Sequence, residues 1–375
     1  FLPHIVVNAE TGKRFGRSLD PDTNGYTSES FEEGTVGLDM TLSLFEGFSR
    51  INQVRFRKMN KERSEWELKE KQNELAYQVT DAYYKLILER KLLDLALEQS
   101  RLSERYLKQT EVFVELGLKS ASDLQEVKAR REGDIYRYQS RGNNSRIALL
   151  HLKQLINIQP GDTLAILDTI TASQLPPYSV STVETLYAQS IEILPSMRMI
   201  DLKQKAAHKE YAIAGGAFSP SVFARFTVGS NYYNTAFSAR QLRDNIGKYV
   251  GVGISFPLLS GLQRLTNQRK LKLNMYRLKN EEELEKQQLY TDIEQTLLSL
   301  HTGYSEHQQA LSQLDAETLV LKESERKWEE GLISVFQLME ARNRFIAAKA
   351  ELVRVRLQIE MMMKLEKYYR QGTFL

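Results

Sequence analysis

The chain has 375 residues, 42% of them apolar, with 51 basic against 48 acidic side chains and no cysteine. That apolar fraction excludes bulk disorder, and the near-balance of charge gives no sign of a nucleic-acid partner. Without cysteine there can be no disulfide framework, thiolate metal site or cysteine nucleophile. In chain order, the first predicted element is a strand over 3–15, with Ile5, Val7 and Ala9 on one face and Asn8 and Glu10 on the other. A polar loop follows, whose Asp20, Asp22, Glu29, Glu32 and Glu33 belong in water. A second strand over 35–45 alternates Val36, Leu38, Met40, Leu42 and Leu44 with Thr35, Gly37, Asp39, Thr41 and Ser43.

After Gly47 the alternation stops and a long charged stretch begins. Proline is absent from 22–159 and again from 258–375, which permits very long helices. Glycine is absent from 48–116 and then stands at Gly117, in "ELGLKSASDLQ". The pattern predicts a helical hairpin over 48–158, turning at Gly117-Leu118, its second helix capped by Ser120. The basic run Arg55, Arg57, Lys58, Lys61 and Arg63 is the solvated face of that first helix. A linker spans 159–178, and a helical stretch spans 180–217. Two more strands are predicted over 220–233 and 248–259. The first sets Val222, Ala224, Phe226 and Val228 against Arg225, Thr227 and Gly229; the second sets Val250, Val252, Ile254 and Phe256 against Tyr249, Gly251, Gly253 and Ser255. A second hairpin over 262–370 turns at Gly331-Leu332, with Ser334 as cap.

The two hairpins are in register. Gly47 and Gly261, Gly117 and Gly331, and Glu126 and Glu340 all stand 214 residues apart. A gapless offset of this length indicates internal duplication, with one repeat over 1–178 and a second over 179–375. The second repeat has a helical stretch ahead of its strands that the first lacks, so about 40 residues of N-terminal helix are expected upstream of Phe1.

Two readings compete for the strands: a soluble sheet over a core, or a lipid-facing barrel with a polar interior. Eleven residues rise about 36 Å at ~3.3 Å each, and tilted ~45° they match the ~25 Å apolar band of an outer-membrane barrel. The remainder of the chain reads as rods of about 100 Å at ~1.5 Å per residue, with no compact layer to cover four apolar faces. The barrel is therefore favoured, with Val36, Leu38, Met40, Leu42, Val250, Val252, Ile254 and Phe256 facing lipid. Four strands cannot close alone, so two, three or four copies must share one barrel. In that case the strand lies in lipid, Gly47 and Gly261 mark the exit, and the helices continue the wall into water.

These residues resemble the TolC-like outer-membrane efflux proteins over almost the whole chain. The similarity rests on the passages "LSLFEGFSRINQ" and "FPLLSGLQRLTNQ" and the turns "VELGLKSASDLQE" and "EEGLISVFQLME". It implies a mixed α/β membrane fold: a homotrimer with a twelve-stranded barrel, four strands per protomer, and a periplasmic α-helical barrel. It further implies an outer-membrane exit duct extending into the periplasm, served by a periplasmic adaptor and an inner-membrane pump or ABC transporter. By the same resemblance, adaptor hairpins dock on Gly117, Leu118, Ser120, Gly331, Leu332 and Ser334. The entrance is narrowed at Glu340, with Gln337 where a second carboxylate is often found and Asp123 at an acidic position past the first turn. A ring of Glu340 carboxylates would couple and raise their pKa values.

His4, His151, His208, His301 and His307 show no metal spacing, "GVG" at 251–253 lies inside a strand, and no constellation for acid–base or nucleophilic work is visible. No enzyme, cofactor or metal is expected. The runner-up is a soluble periplasmic coiled-coil scaffold or adaptor. The cargo, the identity of pump and adaptor, and the resting state are not legible.

Overall fold

The computed structural model describes residues 2–19, 24–28, 30–159, 161–166, 175, 177, 181–234, 237–258 and 262–374. Its elements are β1 (His4–Arg14), β2 (Ser18–Leu19), β3 (Tyr26–Thr27), β4 (Phe31–Glu46), α1 (Ser49–Glu115), α2 (Ala121–Leu155), α3 (Val183–Ile193), α4 (Pro195–Gly216), β5 (Ser221–Asn234), α5 (Ala239–Asp244), β6 (Gly247–Ser255), α6 (Gln263–Glu329) and α7 (Val335–Gln371). They fall into two units, residues 1–64 with 200–282 and residues 65–199 with 283–375. Among the described residues no helix is long and apolar enough to cross a membrane.

The first unit holds a four-stranded sheet of order β1-β4-β5-β6 with every neighbour antiparallel. Strand periodicity and register agree across it: Ile5, Met40, Phe226 and Val250 form one cross-strand row. Leu42, Ala224 and Val252 form the next. The opposite face carries Asn8, Asp39, Thr227 and Tyr249. There Asp39 accepts from Asn8 Nδ2 at 3.3 Å and from Thr227 Oγ1 at 3.0 Å.

Several boundaries differ from expectation for local reasons. Strand β4 starts at Phe31, so Glu32 and Glu33 belong to the ladder rather than the loop. Phe31 stacks on Tyr233 at 4.9 Å, and Arg14 holds Glu33 at 2.9 Å, which extends the sheet past its apolar band. Asp20, Asp22 and Glu29 lie outside the described residues. A bulge between Ser43 and Phe45 takes Leu44 out of the alternation, and Phe45 replaces it opposite Val222. Strand β6 ends at Ser255, so Phe256 is not part of the ladder; the following Pro257 has no N–H to donate to it. The loops between the paired strands contain a small β2–β3 ladder, with Arg17 over the Tyr26 ring at 4.9 Å, and the short helix α5.

The passage from β4 into α1 is made by two consecutive left-handed residues, Gly47 (φ +56°) and Phe48 (φ +61°). A side chain at Gly47 would put Cβ 2.5 Å from the Gly216 carbonyl, so the helix end of α4 and the strand exit touch through bare backbone. In the second hairpin Leu262, 214 residues after Phe48, has φ +62°. The expected exit residue Gly261 lies outside the described residues, as does Leu259.

In the second unit the helices pack through apolar stripes. Leu186 and Leu194 join Ile293, Leu300, Val355 and Ile359 in one core; Tyr106, Val127, Trp328, Val335 and Leu338 form another. The helical stretch predicted over 180–217 is made of two helices, α3 and α4. Leu194 is extended (ψ 134°) because the ring of Pro195 disfavours a helical residue before it. Helices α1 and α6 are each 67 residues long and both their ends stand 214 residues apart.

Candidate functional site

The hairpin turns are two copies of one backbone design. Gly117 (φ +71°) and Gly331 (φ +76°) supply the left-handed residue that a helix-ending turn requires. Leu118 N–H donates to the Phe113 carbonyl at 2.8 Å and Gly117 N–H to Val114 at 3.0 Å; Leu332 and Gly331 repeat this on Lys327 and Trp328 at 2.8 and 3.0 Å. The orphan carbonyls of each helix end are thereby satisfied. Leu118 and Leu332 are 66% and 68% exposed.

Each returning helix opens with a reciprocal cap. Asp123 N–H donates to Ser120 Oγ at 3.1 Å while Asp123 Oδ2 accepts from Ser120 N–H at 2.9 Å. Gln337 N–H donates to Ser334 Oγ at 3.3 Å and Gln337 Oε1 accepts from Ser334 N–H at 3.0 Å. Asp123 and Gln337 thus occupy equivalent positions and are held at the backbone. Donation from the Ser120 N–H, then from its hydroxyl, keeps the Asp123 pKa below its ordinary value. Glu340, one turn further on, is exposed and bonds Arg344 at 3.1 Å; Arg344 also reaches Glu317 at 3.4 Å. The i, i+4 spacing of Glu340 and Arg344 was there in the sequence. Glu340 and Glu126 line one open groove of about 430 Å³ between α2 and α7, with Phe336 and Met339 on its wall.

Above the tip, the structure assembles a buried polar cluster that sequence reasoning missed. Arg342, 2% exposed, donates from Nη1 to Ser103 Oγ at 3.3 Å and from Nη2 to the Gln99 carbonyl. Ser103 in turn donates to Asp134, which also accepts from Gln99 Nε2 at 2.9 Å and Arg137 at 3.0 Å. The Arg342 guanidinium lies 5.7 Å from the Tyr106 ring centroid, and Tyr106 Oη donates to Glu325 at 2.9 Å. Burial pulls the Arg342 pKa down and the Tyr106 pKa up. Arg342 Nε and Trp328 Nε1 are buried with no hydrogen-bond partner among the described residues. The signal was a charged residue on the apolar stripe Val335, Leu338, Met339, Arg342.

On the sheet, the residues expected to face lipid lie on one side. Val36, Leu38, Met40, Leu42, Val250, Val252 and Ile254 share it, with Lys248 at the far end of its row; Phe256 follows the last strand residue and is exposed. None is buried, and Val250, Val252 and Ile254 are 77%, 70% and 74% exposed.

A model of the family described as "Outer membrane efflux protein" matches residues 1–157 and 186–361. No curated protein sequence matches. Among solved structures, the Campylobacter jejuni CmeC outer membrane channel superposes with TM-score 0.83 at 14% identity, covering 99% of this chain and 78% of that one. Vibrio cholerae outer membrane protein VceC gives 0.82 at 15%, covering 100% and 88%. The open state of the Neisseria gonorrhoeae MtrE outer membrane channel gives 0.78 at 16%, covering 100% and 81%. These likenesses extend the fold over nearly all of the chain, while the family match covers most of its sequence: the chain belongs to the outer membrane efflux protein family.

Proposed function

We propose that the chain is one protomer of a trimeric exit duct, which passes substrates across periplasm and outer membrane without chemistry. The observation that carries this reading is the bare apolar face of the β1-β4-β5-β6 sheet. A soluble protein would bury it, since each apolar side chain of this size gains about 1.5–3 kcal/mol on leaving water. Hydrocarbon supplies that cover. The unpaired edges of β1 and β6 cannot stand in hydrocarbon, and β1 runs antiparallel to β6, so further copies extend the ladder to closure. The resemblance to TolC-like proteins selects three.

In this reading the repeats 1–178 and 179–375 each contribute two strands and a hairpin. The matching φ values and helix bounds at an offset of 214 support their common origin. The tips at Gly117, Leu118, Ser120, Gly331, Leu332 and Ser334 receive a periplasmic adaptor, which joins the duct to an inner-membrane pump or ABC transporter. Exposed Leu118 and Leu332 offer the apolar contact. Asp123 and Gln337 serve as caps there. The narrowing of the entrance falls to Glu340, its charge partly offset by Arg344.

The test is reconstitution in planar bilayers with a count of subunits. Trimers extracted only by detergent should conduct, and Glu340→Gln should change cation selectivity and conductance. A water-soluble monomer without conductance would overturn the reading.

A further inference from the structure

The two 67-residue helices that leave the strands are strongly polarised in charge. Residues 49–61 of α1 carry five basic and no acidic side chains, and residues 263–280 of α6 carry six and none. The remainder of each helix reverses the balance, with nine basic against twelve acidic over 62–115 and four against twelve over 281–329. Helix stability does not explain this. The N-terminus of a helix carries about +0.5 of an elementary charge and favours acidic residues, yet neither first turn has one.

Pairing does not explain it either. Arg50 is tied to Glu46 at 3.3 Å and Arg264 to the Pro257 carbonyl at 3.3 Å, at the strand exits. Beyond them Arg55, Arg57, Lys58, Arg269, Lys270 and Lys272 are exposed and have no carboxylate partner among the described residues. Ile51, Val54 and Leu273 are exposed in the same stretches, giving the mixed apolar and cationic surface of a membrane boundary. A second copy is a poor occupant, because it brings the same cations and like charges repel.

We propose that the first three turns of α1 and α6 form a basic collar that binds the anionic phospholipid headgroups of the leaflet from which the helices emerge. The proposal rests on the reading that the sheet lies in lipid. All six side chains start within about 15 Å of their helix N-termini at ~1.5 Å per residue. Their Cα–Cβ bonds tilt toward that end, so the long arms lean back to the headgroups. Each Lys or Arg at an anionic surface contributes about 1 kcal/mol, roughly a five-fold preference, screened by salt over ~8 Å.

The full-length protein is reconstituted in phosphatidylcholine vesicles containing trace spin-labelled phosphatidylglycerol or spin-labelled phosphatidylcholine. The motionally restricted fraction of each label is then compared. A preference for phosphatidylglycerol of about five-fold or more is expected, falling toward unity in about 0.5 M salt and in a variant with all six residues changed to Gln. The salt titration uses the unaltered protein and so does not depend on the variant folding. Equal restriction of both labels would overturn the collar while leaving the sheet in lipid, as would a shift of pore ion selectivity toward cations in the variant without change in lipid preference, which would place the cations in the lumen. No restricted lipid of either kind would overturn the membrane reading itself.

Discussion

At the scale of single residues, the two hairpin ends pose a controlled comparison. Ser120 with Asp123 and Ser334 with Gln337 make the same reciprocal cap, but one partner titrates and the other does not. Asp123 has a depressed pKa in the folded chain, so its contribution is present above the unfolded value and is lost as pH falls through the folded one. Protection of the amides at 121–124 against hydrogen exchange should therefore drop as pH falls below about 4, measured relative to 335–338, whose Gln cap holds. Parallel loss at both tips would show that the Asp123 cap is not the cause. Ser120→Ala and Ser334→Ala should each loosen their own hairpin end by about 1 kcal/mol. Each effect should be confined to its own tip and readable in the same exchange profile.

At the scale of elements, the sheet and the tip cluster respond to charge in opposite ways. Val250 stands in the middle row of the apolar face with Ile5, Met40 and Phe226, where a cation has no partner. Val250→Arg should cost about 2–4 kcal/mol in urea-driven unfolding from lipid vesicles. Tyr249→Arg, one residue away on the polar face, should cost far less; equal costs would mean the two faces see the same medium. The cluster around Arg342 was built with its charges already inside. Arg342→Ala strips the buried Asp134 network of a cation and should cost about 3–5 kcal/mol, whereas Arg342→Leu with Asp134→Leu should cost clearly less than the sum of the two single changes. Thermal unfolding of the four proteins gives the coupling directly, and strict additivity would mean the Ser103 bridge between them carries nothing. The elements themselves were legible because each obeys a local period: two for the strands, uninterrupted helix between Gly47 and Gly117. What was not legible depended on contacts distant in sequence. The extension of β4 to Phe31 needs Tyr233, the bulge that sends Leu44 aside needs β5, and Arg342 finds Gln99 and Ser103 on a helix some 240 residues earlier. Glu340 was picked out for its position past the turn, and its partner Arg344 was one helical turn away in plain view.

At the scale of the whole molecule, what remains is closure. One chain presents β1 and β6 as open edges, and a strand edge in hydrocarbon leaves backbone N–H and C=O groups unpaired at several kcal/mol each. The strands of the sheet alternate in direction, so β1 of one copy can extend β6 of another in the same antiparallel sense and repeat until the ring shuts. That contact is heterologous, and only a rotation that closes limits its growth. The chain has no cysteine, so introduced thiols report without background. Pairs placed on the same face, one from Ile5, Val7 or Ala9 and one from Val250, Val252 or Ile254, should include at least one register whose Cα atoms approach within about 7 Å across copies. Oxidation of that variant in membranes should give linked dimers and trimers on a denaturing gel, with nothing larger. A ladder ending at two or four would replace the threefold ring with another closure. Links confined to single chains would mean that the two edges meet each other and that no shared barrel exists.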